Sequence, residues 1–253
     1  MLGLWEAVVG VAVTIVLAAV ATIGRSLTPA AGAVAAAFGS IIVVLGGFPY
    51  LGILALFVLA SALATRFHFD EKSRRSLQEG THGERGIPNV IAHISLPTAL
   101  VLYAAIDPAH LPPPALSFLY TAAIAFGASD TFASELGVLS GSARSILTGR
   151  PVPPGTNGGI SGQGEFFALI GAWTTAVVAL ALFLLFSTPT TGCVLFIAGA
   201  TGAGFAACQI DSVLGEALEN RGYLTKGSTN FLAMACAILI GIAVLDAAGV
   251  LVW

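Results

Sequence analysis

The sequence predicts an all-α, polytopic membrane bundle of about eight spans, folded as a single integral membrane domain over residues 1–253. Three observations predict it. The chain is 57% hydrophobic and only 9% charged, whereas soluble domains carry about 25% charged residues. Its mean hydropathy is +0.93. Apolar runs long enough for a bilayer core, about 17–25 residues, recur along its whole length.

Taken in order, the runs fall at roughly 4–23, 30–47, 48–65, 87–106, 114–136, 161–187, 190–215 and 229–252. The first has no basic leader and spans about twenty residues, so it reads as a retained span rather than a cleaved signal peptide. The second and third are short and meet at GGFPY, a tight Gly/Pro turn. The fifth opens after LPPP and the seventh after STPT, both suitable helix entries. An arrangement of six or seven spans, with segments re-entrant, is the competing count.

Charge tests this division. The ten basic residues are Arg25, Arg66, Lys72, Arg74, Arg75, Arg85, Arg144, Arg150, Arg221 and Lys226. With eight spans, every one falls in a loop on the same side, and the opposite loops (47–49, 107–113, 187–190) hold none. The positive-inside rule makes the basic side cytoplasmic, with both termini outside. The formal net charge of −3 comes without a basic face, so no nucleic-acid partner is expected. Cys193, Cys208 and Cys236 lie in apolar runs without paired spacing, which argues against disulfides and zinc. His68, His82, His93 and His110 are too dispersed for a transition-metal site.

Three sets of polar residues stand out from this background. In DTFASE (130–135), Asp130 and Ser134 are four apart, as are Thr131 and Glu135, so they share roughly one side of a helix. DSVLGE (211–216) repeats the pattern with Asp211, Ser212, Gly215 and Glu216. An intramembrane carboxylate costs about 2.5–3.5 kcal/mol on insertion scales and persists where it faces protein or water. Two parallel helices would present these acids at one depth, and such hard oxygen ligands suit Mg²⁺ with substrate phosphates. The plainer alternative is that they are the wet ends of helices.

RPVPPGTNGGISGQGE (150–165) is the second stretch. Gly155, Gly158, Gly159, Gly162 and Gly164 allow amides to approach a ligand closely, and the loop runs into the sixth span, whose N-terminal dipole favours anions. Arg144 and Arg150 flank it. It lacks the P-loop spacing, and the alternative is an ordinary interhelical connection. The third stretch, 66–86, holds five of the ten basic residues. Most of them set topology and meet anionic lipid; Lys72 and Arg85 are the candidates for a nucleotide or lipid phosphate. Asn230 opens the eighth span, where it either serves this site or caps the helix.

TRFHFDEK (65–72), RG (85–86), SDTFASELG (129–137), PPGTNGGISGQG (153–164) and DSVLGEALEN (211–220), in this order and spacing, resemble a membrane family that includes plant phytyl-phosphate kinase, human transmembrane protein nineteen and many prokaryotic relatives. The resemblance covers nearly the whole chain. It implies phosphorylation of a prenyl monophosphate, such as phytyl or geranylgeranyl phosphate, to the diphosphate, with Mg²⁺ and a nucleoside triphosphate, CTP among the choices. The expected location is a prokaryotic cell membrane with the site at the cytoplasmic face that the charge division gives; a homo-oligomer stays open. By position, the family's polar signature falls on Asp130, Thr131, Ser134 and Glu135, on Gly155, Thr156, Asn157, Gly158, Gly159 and Ser161, and on Asp211, Ser212 and Gly215. Two departures are His93, where relatives usually have Asn, and Glu219, where Gln is common. A helix with Asp followed by a Gly-rich loop is also similar to dolichol kinases and phosphatidate cytidylyltransferases.

The expected chemistry is transfer of a γ-phosphoryl group. Asp130, Asp211 and Glu135 would hold Mg²⁺, Glu216 would be a further or outer-sphere ligand, loop 155–161 would cradle phosphates, and Arg144 and Lys72 would offset charge. The rivals are CTP-dependent cytidylyl transfer to a lipid phosphate, a transporter using intramembrane carboxylates, and a scaffold or scramblase without chemistry.

Overall fold

The computed structural model describes residues 3–251; residue 252, the end of the eighth expected span, lies outside the described residues. Helices α1 (Leu4–Ile23), α2 (Pro29–Gly46), α3 (Phe48–Arg66), α5 (Ile87–Ile106), α6 (Pro113–Gly137), α7 (Gly162–Leu185), α8 (Cys193–Leu214) and α9 (Lys226–Ala247) take up the eight expected segments to within a few residues. The short α4 (Phe69–Arg74) sits in the basic loop, and a π-helical turn, Gly215–Glu219, continues α8. Between α6 and α7, strands β1 (Ala143–Ser145), β2 (Pro151–Val152) and β3 (Gly159–Ile160) pair antiparallel in the order β2-β1-β3. Nothing in the glycine-rich sequence announced this small sheet.

Seven of the long helices are long and apolar enough to cross a bilayer, and α6 is the exception. At 25 residues it is the longest stretch of unbroken α-helix, and at about 1.5 Å per residue it exceeds a ~30 Å hydrocarbon core. Its apolar content is diluted by Ser117, Tyr120, Thr121, Ser129, Asp130, Thr131, Ser134 and Glu135. The reason is position. Every residue from Ala115 to Ser129 is buried, because α3, α5, α7, α8 and α9 all pack on α6. A helix that meets protein on all sides does not need the apolar face that lipid demands.

Small residues bring the neighbours close. A Cβ on Gly204 of α8 would lie 2.8 Å from the backbone of Ala125, and one on Gly171 of α7 would lie 2.7 Å from the Ala128 carbonyl. At the end of the bundle where α6 begins, Tyr120 donates to the Tyr50 carbonyl at 2.9 Å, and Ser117 donates to that of Pro189 at 3.1 Å. By contrast α1 is peripheral, with Leu4, Val8, Val16 and Val20 exposed for lipid contact.

The four basic segments meet at the other end. The backbone of Arg85 pairs with Ser26 and Thr28, Arg66 donates to the Gly24 carbonyl, and Lys226 pairs with Glu79 at 2.8 Å. Asn157 donates to Glu219 at 3.0 Å. The shared side inferred from charge is therefore one physical end of the bundle.

Candidate functional site

Helices α6 and α8 end at this face, side by side, and each delivers one aspartate. Asp130 and Asp211 both line a cavity of about 330 Å³ whose other walls are loop 154–161, the start of α7 and the start of α9. Asn230, one turn into α9, lies between the two carboxylates. Its amide nitrogen sits 3.4 Å from Asp130 Oδ2; with the amide turned over, the nitrogen donates to Asp211 Oδ1 at 3.2 Å and to the Lys226 carbonyl at 3.0 Å. The two orientations are alternatives, one bonding Asp130 and the other Asp211, and both place the two aspartates around the same amide. His93 approaches Asp130 from α5, its Nε2 3.9 Å from Oδ2, while Nδ1 donates to the Asn89 carbonyl at 2.9 Å.

Glu135 departs from expectation. It reaches the cavity wall, but Thr65 Oγ1 donates to its Oε1 at 2.8 Å and the Lys72 ammonium to its Oε2 at 2.7 Å. Lys72 also donates to the carbonyls of Ala64 and Thr65 at 3.0 and 2.7 Å. All three ammonium hydrogens are used and the residue is 0% exposed. The expected roles of Lys72 on a phosphate and of Glu135 on a metal therefore give way to a buried ion pair that fastens α6 to α3 and α4. Such a pair is kept intact because either partner alone would be a stranded buried charge.

The other cations also lie elsewhere. Arg144 is exposed on β1 and donates to the Gly149 carbonyl at 3.0 Å. Arg85 faces a neighbouring groove between α2, α3 and α5. Neither lines the cavity; among the described lining residues the one Lys or Arg is Lys226. Sequence reasoning treated Lys226 only as a loop charge. Its signal was the spacing, since Lys226 and Asn230 are four apart on one helix face.

The glycine-rich loop is anchored on the end of α8. Gly155 and Gly158 have φ of +83° and +76°, which glycine adopts without strain. A Cβ on Gly158 would also lie 2.4 Å from the Cβ of Glu216. Glu216, expected as an outer-sphere ligand, instead accepts from Ser145 Oγ at 2.5 Å and from the Leu147 amide at 3.3 Å, and so fastens β1. The cavity acid on this turn is Glu219, which accepts from Asn157 at 3.0 Å and Thr229 at 3.0 Å. Thr156 donates to the Pro153 carbonyl at 2.8 Å, and Ser161 caps α7 by accepting from the Gly164 amide at 3.0 Å. Gly159, Ser134, Ser212 and Gly215 complete the wall, whereas Thr131 is buried outside it. Glu165 also lines the cavity and accepts from Gln209 at 2.8 Å.

A strap covers part of the mouth. Ser76, Leu77 and Gln78 line the cavity, Leu77 fills the space that a Cβ on Gly155 would need, and Glu79 clasps Lys226. Burial opposes ionisation of Glu79, but Lys226, with the more distant Arg85, outweighs it and holds the carboxyl below its ordinary range. Among the described residues no three His, Cys, Asp or Glu side chains form a metal cage. The pair Asp130 and Asp211 matches the partial set that Mg²⁺ takes when substrate phosphates supply the other ligands.

Residues 12–250 match the family described as integral membrane protein DUF92. An uncharacterized membrane protein of Methanocaldococcus jannaschii is 29% identical over 81% of this chain and 79% of its own. One of Synechocystis is 33% identical over 77% and 74%, and Protein PGR of Arabidopsis thaliana is 30% identical over 70% and 67%. No solved structure matches the chain.

Proposed function

This chain belongs to the DUF92 family of integral membrane proteins, and we propose that it is a prenyl-phosphate kinase, moving the γ-phosphoryl group of a nucleoside triphosphate onto a prenyl monophosphate. The observation that carries the reading is the meeting of Asp130 and Asp211 at Asn230, in a cavity that also holds a glycine-rich loop and one lysine. The cavity lies at the basic end of the bundle, which the positive-inside rule assigns to the cytoplasm, where nucleotide is supplied.

In the reaction an oxygen of the lipid monophosphate attacks the γ-phosphorus. The bond from that phosphorus to its bridging oxygen breaks, and the nucleoside diphosphate leaves with the electron pair. The attacking oxygen is already anionic near neutral pH, so catalysis rests on positioning and charge neutralisation rather than on a strong base. Asp130 and Asp211 would hold Mg²⁺ together with phosphate oxygens, and the ion would supply neutralisation of charge on the transferring group. Lys226 supplies the protein's own cation once Glu79 releases it. The Gly155–Ser161 backbone follows the phosphates, Asn230 keeps the two aspartates at one spacing, and the Glu135–Lys72 pair holds this end of α6 in place.

The test uses purified protein in nanodiscs with geranylgeranyl monophosphate and CTP or ATP labelled at either the γ- or the α-phosphate. Label from the γ position in the lipid product is expected. Label from the α position would replace the kinase by a cytidylyltransferase. No labelled lipid with any nucleotide across a panel of prenyl phosphates would remove both.

A further inference from the structure

We propose that the groove between α2, α3 and α5 seats the lipid acceptor, with its phosphate at Arg85 and His93 and the head-proximal part of its chain along Leu54, Phe57 and Ile94. The chemical role given to that lipid rests on the kinase reading above; its binding place does not.

The groove is a second, smaller hollow of about 70 Å³, apolar along one side and polar at one end. Leu27, Leu54, Phe57, Val58 and Ile94 form the apolar side, and Thr65, Arg85, Asn89 and His93 the polar end. That end abuts the acidic wall of the cavity. Thr65 donates to Glu135 at 2.8 Å and His93 lies 3.9 Å from Asp130. A phosphate held there sits beside Asp130, which also lines the cavity.

Two observations point to an anionic, amphiphilic occupant. First, His93 is only 6% exposed, yet its Nε2 has no hydrogen-bond partner among the described residues. Buried polar atoms are rarely left so. The ring is held in place by Nδ1 on Asn89 and by Phe57 and Phe126, whose centroids lie 6.0 and 6.2 Å from it. A phosphate monoester carries both P–OH and P–O⁻, so it satisfies Nε2 in either protonation state. Second, the one hydrogen bond of the Arg85 guanidinium among the described residues is a long 3.5 Å contact with Thr65 Oγ1, while its backbone is clamped to Ser26 and Thr28. A guanidinium on an anchored backbone, with donors to spare, suits two-pronged recognition of phosphate. The hollow admits only the first part of a chain, so the remainder runs along the helices into lipid.

The test measures binding without nucleotide, by thermal shift and photocrosslinking, on the full chain in nanodiscs. Geranylgeranyl monophosphate is expected to stabilise the protein more than geranylgeraniol or inorganic phosphate does. Arg85→Gln should weaken the monophosphate about tenfold and leave geranylgeraniol unchanged, and Ala62→Trp, which fills the groove, should weaken both. Equal stabilisation by inorganic phosphate, or unchanged lipid binding in both variants, would overturn the assignment. Because Ala62→Trp risks misfolding, a diazirine on the first isoprene unit gives a readout in the unaltered protein. Crosslinks within 54–62 and 90–94 support the groove; crosslinks confined to 154–165 and 208–215 place the lipid in the larger cavity and sink the proposal. Groove crosslinks without phosphoryl transfer would defeat the kinase reading alone, and transfer with cavity crosslinks would defeat this inference alone.

Discussion

DTFASE on α6 and DSVLGE at the end of α8 share a faint sequence pattern, and their aspartates do the same thing while their glutamates do opposite things. Asp130 and Asp211 both reach the cavity and share Asn230. Glu135 turns into the bundle and is locked by Lys72 and Thr65. Glu216 turns outward and fastens the strand that precedes the glycine-rich loop. The small residue before each glutamate differs as well: Ser134 is exposed, whereas Gly215 is buried. One copy is welded to the membrane bundle and the other to a surface loop. An i, i+5 pattern fixes what a helix offers, and the neighbour that happens to face it fixes what is taken.

The largest effect expected from this contrast is on stability. Lys72→Met leaves Glu135 buried without a counter-charge and should cost about 3–5 kcal/mol, whereas Lys72→Met combined with Glu135→Leu should recover most of it. Thermal unfolding of the purified single and double variants measures both, and a harmless Lys72→Met would mean that the two motifs are equivalent after all. Next, Asp130→Asn and Asp211→Asn should each lower transfer activity by about 10²–10³-fold with little change in unfolding temperature. A large difference between the two variants in the transfer assay would break the symmetry claimed for the aspartates.

A smaller effect is expected at Glu216. Glu216→Ala removes charge-assisted hydrogen bonds to Ser145 and Leu147 and should cost about 1.5 kcal/mol locally. Amide hydrogen exchange over 143–160 should then quicken by roughly tenfold while α6 keeps its protection. Protection lost evenly across the bundle would contradict the division into welded and loop-bound copies. The smallest effect concerns the strap. The Glu79–Lys226 tie is 26% and 58% exposed, so it is worth about 0.2–1 kcal/mol. Because the folded protein holds the Glu79 carboxyl below its ordinary value of 4.5, the tie contributes fully above that value and is lost as pH falls through the lowered one. Exchange at residues 76–79 followed from pH 7 to pH 3 should rise only at the acid end, and Lys226→Met should flatten the profile.

The helices themselves were legible because lipid leaves little choice: backbone amides must be satisfied within a span, and spans need long apolar runs. Even so, α6 fails the apolarity that its companions meet, since it touches protein rather than lipid, and the β1–β3 sheet was hidden because strands of two or three residues carry no period. For the site, the two aspartates and the glycine-rich loop were readable from spacing, and Lys226 could have been. Glu165 and Glu219 were harder, as charged residues near helix ends are ordinary and only the cavity singles them out.

By itself the sequence determined where the chain crosses, which end gathers the basic residues and which polar groups lie too deep to be incidental, because each follows from local composition and helical spacing. Only the tertiary structure decided which of those groups remain available. Lys72 lies 63 residues from Glu135 in the chain and 2.7 Å from it in the fold, and no local pattern states that a charge will be cancelled by a partner from so far away.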